Sequence, residues 1–138
     1  MEQSRLGRIL IVDDDKQLAR TMSVRFTAAG FEVYVAHQAQ DASLIAVRER
    51  PDAILLDVNM PHFTGLELHQ CFQFASRSRE IPVVCISGER SLSTRRAAFE
   101  LGAAAFITKP FDTAQLMVTV GSLIPDPLRA AGASQPAR

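Results

Sequence analysis

The chain has 138 residues, 47% of them hydrophobic, enough to bury one proper core and too few for two. Its 15 basic and 15 acidic side chains cancel, which excludes the broad basic surface that direct nucleic-acid binding would need. No apolar stretch approaches the roughly 18 residues of a membrane span.

In chain order, Met1 to Arg8 is polar, and the run after it is too short for a signal peptide. Five short apolar runs follow: Ile9–Val12, Val33–Ala36, Ala53–Leu56, Val83–Ile86 and Ala105–Ile107. They are rich in branched residues and do not alternate with polar ones, as expected of strands covered on both faces. The gaps between them are too long for hairpins and long enough for crossover helices. Lys16–Ala29 places Leu18, Met22 and Phe26 at four-residue spacing, with Gly30 as a stop signal. Further helices are predicted over Gln40–Glu49, Gly65–Phe74, Leu92–Leu101 and Thr113–Ile124. Gly102 suits a left-handed cap for the fourth, and Asp112 an N-cap for the fifth. Cys71 and Cys85 fall in helical and strand patterns and read as thiols of a reducing compartment, so a cytoplasmic location is expected.

Strand and helix alternate five times, which predicts a three-layer α/β domain with a parallel sheet. The strand order expected is 2-1-3-4-5, by analogy with known doubly wound sheets of this length, since the residues alone do not dictate it. The domain is expected over 8–124, with 1–7 as an N-terminal extension. The Pro/Ala/Gly segment 125–138 reads as a flexible tail or linker stub.

Four runs end in residues that can do chemistry. Asp13-Asp14-Asp15 follows the first, Asp57 the third, Ser87 the fourth and Lys109 the fifth. In a parallel sheet these endings share the edge at which open α/β folds bind ligands. Three crowded carboxylates need a cation, and Mg²⁺ suits one or two carboxylates plus water and phosphate oxygens. Lys109 adds a fixed positive charge and Ser87 a hydroxyl donor, so the set meets the needs of phosphoryl transfer to a carboxylate. Taken singly, each residue has a plainer use: an Asp after a strand often caps the next helix, and Ser-Gly often makes a turn. Their joint occurrence favours the site. His37, His62 and His69 show no metal-ligand spacing with either cysteine. There is no Walker A or G-x-G-x-x-G pattern, so a nucleotide is not the expected donor. The arginine pairs Arg95-Arg96 and Arg77/Arg79 read as solvated helix faces.

ILIVDD at Ile9–Asp14, LLDVNMP at Leu55–Pro61 with Gly65 behind it, ISG at Ile86–Gly88 and FITKPF at Phe106–Phe111 resemble a two-component response-regulator receiver domain of the chemotaxis or stand-alone type. The resemblance runs from about Arg8 to Ile124 and implies a flavodoxin-like sheet with five helices. It implies Asp57 as phosphoacceptor and a Mg²⁺ site of Asp14, Asp13, Asp57 and the backbone carbonyl of Asn59. Ser87 and Lys109 would contact the phosphoryl group, and a cis peptide to Pro110 would orient the lysine. Ser87 and Phe106 would act as the switch, with a phenylalanine readout that is purely steric. The switched surface would comprise the fourth helix, fifth strand and fifth helix. Thr113–Ile124 holds no charge after Asp112, so an ion-pair-knit dimer through that face is not expected, and Val118 lies off the core stripe.

The partners implied are a histidine kinase or histidine phosphotransfer protein upstream, and downstream an output partner protein or a missing output domain. Asn59 and Glu89 are the side chains placed to align a hydrolytic water, which predicts a short-lived phosphate. Such a module catalyses its own phosphorylation and dephosphorylation and is not an enzyme on a separate substrate. Two other readings stay open. One is a haloacid-dehalogenase-type phosphohydrolase using Asp13 as nucleophile and Asp15 as general acid. The other is an unphosphorylated docking scaffold.

Overall fold

The computed structural model describes residues 6–58, 81–88 and 92–124. Within them run β1 (Gly7–Val12), α1 (Lys16–Ala28), β2 (Phe31–Ala36), α2 (Ala39–Glu49), β3 (Ala53–Asp57), β4 (Val83–Ser87), α3 (Leu92–Glu100), β5 (Ala105–Thr108) and α4 (Thr113–Leu123). The helix expected over 65–74 lies outside the described residues, so α3 and α4 are the fourth and fifth helices predicted from the sequence. The sheet is parallel throughout, in the order β2-β1-β3-β4-β5.

The unbroken apolar runs are explained by burial on both faces. Along β1, Ile9 and Ile11 join one core layer with Met22 and Phe26 of α1 and Leu116 and Val120 of α4. Leu10 and Val12 face the other way, into a layer with Ala42 and Ala46 of α2, Ala98 of α3, Cys85 and Phe106. The side-chain period of two thus delivers apolar groups to both layers. On the first layer Phe26 meets Phe31 edge to face, ring centres 5.5 Å apart.

Helix ends follow local chemistry. Asp15 caps α1 by accepting from the Leu18 amide at 3.0 Å, and Asp112 caps α4 by accepting from Ala114 at 3.0 Å. The chain leaves α1 through Gly30 at φ 109°. It leaves α2 differently, through Arg50 at φ 52°, a left-handed residue that is not glycine and sits just before Pro51. Strand β2 is two residues longer at its start than the apolar run. Phe31 and Glu32 pair with Gly7 and Arg8 of β1, and the Glu32 carboxylate is held by Arg8 Nε at 3.2 Å.

Candidate functional site

Register brings the strand endings together. Val12 pairs with Leu56 across β1 and β3, so Asp13 and Asp57, each the next residue, emerge side by side. Asp57 pairs with Ile86, and Ser87 with Thr108, which steps Ser87 and Lys109 along the same edge. Val58 N–H donates to Ile86 O at 3.0 Å and Lys109 N–H to Ser87 O at 2.7 Å, carrying the ladder just past the strand ends. The Lys109-Pro110 peptide is cis, as expected.

Carboxylate oxygens of Asp13, Asp14 and Asp57 all lie within 4.8 Å of one another. Asp13 and Asp57 are buried and Asp14 is exposed, so the cluster opens to solvent on one side. Lys109 Nζ donates to Asp57 Oδ2 at 3.3 Å and stands 3.6 Å from Asp13 Oδ2. Asp13 Oδ1 accepts from the Asp15 amide at 2.9 Å. Its Oδ2 is buried with no hydrogen-bond partner among the described residues. Ser87 is fully buried.

The electrostatics follow from that crowding. Burial pushes the Asp13 carboxyl up to about 6, and the Asp57 charge adds to it, against the Asp15 amide and Lys109, which pull it down. Burial alone would lower the Lys109 ammonium, but the charges of Asp57 and Asp13 outweigh it and hold the lysine above its ordinary value. An acceptor orphaned inside a cluster of three carboxylates fits a hard divalent cation, which prefers oxygen ligands and tolerates an open, hydrated side.

Asn59 and Glu89, expected to complete the metal site and to align water, lie outside the described residues, as do His62, His69 and Cys71. Phe106 is buried against Cys85, Leu56 and Ala98, and the Arg95 guanidinium stands 5.6 Å from its ring centre and 5.5 Å from that of Phe99. Arg95 is exposed, as expected of a solvated helix face, and its guanidinium in addition lies over Phe99, four residues on in α3, and over Phe106 of β5, a contact that sequence separation hides. Two contacts at the site give no sign of themselves in the sequence. The Asp15 amide fixes Asp13, and His37 Nδ1 lies 2.8 Å from the Asp13 carbonyl oxygen.

This sheet, with its acidic cluster and adjoining lysine at the carboxyl edge, is that of a phosphoacceptor signalling module. A family model described as the response regulator receiver domain matches residues 9–121, and the chain belongs to that family, the receiver domains of two-component response regulators. It is similar to response regulator MprA of Mycobacterium avium (strain 104), 33% identical over 117 residues that take in 85% of this chain and 50% of that protein. Among solved structures it is similar to chemotaxis protein CheY4 of Vibrio cholerae, with 28% identity and a TM-score of 0.78 over 86% of this chain and 99% of that one. It is also similar to the receiver domain of Francisella response regulator 1452, with 26% identity and a TM-score of 0.75 over 85% and 95% of the two chains. The chain spans about half the length of the MprA proteins it matches. Among the described residues, no helix is long and apolar enough to cross a membrane.

Proposed function

We propose that Asp57 accepts a phosphoryl group from the phosphohistidine of a sensor kinase or phosphotransfer protein. The observation that carries this reading is the convergence of Asp13, Asp14 and Asp57 with Lys109, leaving Asp13 Oδ2 without a hydrogen bond among the described residues. An Asp57 oxygen attacks phosphorus. The new P–O bond forms as the P–N bond breaks, and the electron pair stays on the donor imidazole nitrogen. Asp13, Asp14 and Asp57, with the Asn59 carbonyl, would hold Mg²⁺, which supplies charge neutralisation for the phosphoryl oxygens. Lys109, already 3.3 Å from Asp57 Oδ2, is the second cation facing that charge. Ser87 would donate to a phosphoryl oxygen, and Asn59 and Glu89 would align the water that ends the signal.

The hydrolase reading loses its general acid, because Asp15 is exposed and its carboxylate is engaged in capping α1. In this reading the chain is a cytoplasmic switch over 8–124, with no separate substrate to turn over. Movement of Ser87 and Phe106 would change the face made by α3, β5 and α4, and that face would regulate an output partner or an output domain joined through 125–138. The test is intact-mass spectrometry after incubation with acetyl phosphate, or with beryllofluoride, each with and without Mg²⁺. One adduct per chain, dependent on Mg²⁺ and absent in Asp57→Asn, is the expected result. Turnover of phosphate esters that is lost in Asp13→Asn and kept in Asp57→Asn would overturn the proposal.

A further inference from the structure

We infer that His37 is a positioning residue of the phosphoacceptor site, holding the Asp13 peptide so that Asp13 Oδ2 is presented to Asp57 and Lys109. The inference rests on the reading of Asp13 as part of the cation site. His37 is the first residue after β2 and is half-buried. Its Nδ1 lies 2.8 Å from the Asp13 carbonyl oxygen. A carbonyl can only accept, so Nδ1 carries the proton, and a neutral ring leaves Nε2 bare. On the other side of the same residue, the Asp13 N–H donates to Ala36 O at 3.0 Å. Both backbone polar groups of Asp13 are therefore tied to consecutive residues at the exit of β2.

With its backbone fixed twice, Asp13 is left the choice of its side-chain conformation, the two torsions that aim its carboxylate. The Asp15 amide settles that choice by donating to Oδ1 at 2.9 Å, and Asp15 is itself fixed as the cap of α1. Oδ2 is what remains, buried and directed toward Lys109 at 3.6 Å. Without the imidazole, the Asp13 carbonyl loses its tie to β2, and the Asp13 N–H bond to Ala36 O is the backbone tie to β2 that the residue keeps. Groups that orient a metal ligand from behind are worth about tenfold or more in affinity.

The experiment compares His37→Asn with His37→Leu. The asparagine amide nitrogen sits at the same bond distance from Cβ as Nδ1 and can donate, whereas leucine has the same branching and cannot. In metal-free wild-type protein above pH 7.5, ring ¹⁵N shifts should report the proton on Nδ1. In metal-free His37→Leu, exchange of the Asp15 amide should accelerate about tenfold, and in His37→Asn it should stay within about twofold of wild type. Mg²⁺ titrated against the same proteins should bind about five- to tenfold more weakly to His37→Leu only. A proton on Nε2, unchanged Asp15 exchange in His37→Leu, or equal losses in both variants would overturn the inference. If wild type bound no Mg²⁺ at all, the proposed function would fall, while the ring shifts and amide exchange would still decide the role of His37.

Discussion

Lys109 Nζ stands 3.6 Å from Asp13 Oδ2, the one oxygen of that carboxylate for which the described residues offer no hydrogen bond. The lysine is already bonded to Asp57 at 3.3 Å, so the two acidic strand ends share a single neighbouring ammonium. Burial raises the Asp13 carboxyl from its ordinary 3.8 to about 6. The folded state therefore holds this proton more tightly than the unfolded chain does. Between about pH 4 and pH 6, the contribution of Asp13 to the stability of the metal-free protein falls as pH rises, and the deficit persists above that window. Asp13→Asn removes the buried charge and keeps an oxygen for the Asp15 amide. It should stabilise the metal-free fold at pH 7.5 by roughly 1–3 kcal/mol and flatten its pH dependence across that window. Thermal melts from pH 4 to 8 in chelator test this. A destabilised variant at pH 7.5 would show that the carboxylate is better satisfied than its geometry indicates.

The same proton must leave before a cation can use Asp13. Mg²⁺ affinity should accordingly drop as pH falls through about 6, beyond any effect of ionic strength. Titrations at matched ionic strength, at pH 5 and pH 7.5, provide the comparison. Asp57→Asn should weaken Mg²⁺ without abolishing this pH dependence, whereas Asp13→Asn should abolish it.

Arg95 and Phe106 form a second coupled pair. The guanidinium lies 5.6 Å from the Phe106 ring centre and 5.5 Å from that of Phe99, bridging α3 to β5. Contacts of this kind at exposed positions contribute about 0.5–1 kcal/mol. Arg95→Ala should therefore lower stability by about that amount, with Arg95→Lys losing part of it and Arg95→Glu more than alanine. Phe106 has no ring hydroxyl, and among the described residues this cation is the charged group over its ring. Loss of Arg95 should also broaden or shift the Phe106 ring resonances, and unchanged resonances would detach the arginine from the switch.

The fold was readable from sequence because the inner strands β1, β3 and β4 are largely buried on both sides, so their apolar residues form unbroken blocks. The edge strands β2 and β5 are half-buried along most of their length. In β2 the polar Glu32 concealed its true start at Phe31. Helix starts at Asp15 and Asp112 were legible through capping chemistry, and α2 ends at Glu49 as expected, but the left-handed backbone of Arg50 that ends it was not legible, since an arginine gives no sign of that conformation. At the site, Asp13, Asp57, Ser87 and Lys109 were legible as strand endings. His37 was not legible as a site residue, since it shows no metal-ligand spacing with either cysteine. Its bond is to a backbone carbonyl, which every residue carries, so no spacing of side chains announces it.

Gly7 is a position where the backbone itself excludes a side chain. Its φ is 147°, and a Cβ there would stand 3.1 Å from Ile124 Cγ2 and 3.2 Å from Asp52 Oδ2. Asp52 is not free to yield, because it accepts from the Arg8 amide at 2.8 Å while its own N–H donates to Arg8 O at 2.7 Å. Those two bonds fasten the start of β1 to the approach to β3. Gly7→Ala should cost about 1–3 kcal/mol through backbone strain and crowding, read in urea melts, and leave Mg²⁺ affinity unchanged because the site is at the other end of the strands. Asp112→Ala makes a useful contrast. It loses the cap of α4 for about 1 kcal/mol with no crowding to relieve.

Cys85 provides an internal reporter for these stability changes. The thiol is fully buried in β4, between the layer-forming side chains of Leu56 and Phe106, and burial pushes its pKa up to about 12. Thiolate is the reactive form, so at neutral pH this group is both inaccessible and protonated in the folded chain. In a Cys71→Ser background, which leaves one thiol, labelling should be slow and limited by opening of the central sheet. The rate should rise about fivefold for each kcal/mol lost from global stability, as in Gly7→Ala, when opening and closing outpace labelling. Asp13→Asn should slow it in metal-free buffer, and a fixed Mg²⁺ concentration should slow it more in wild type than in that variant. Rapid labelling in wild type would mean that β4 opens locally, and Ser87, two residues along the same strand, would then sit on a mobile element rather than a fixed one.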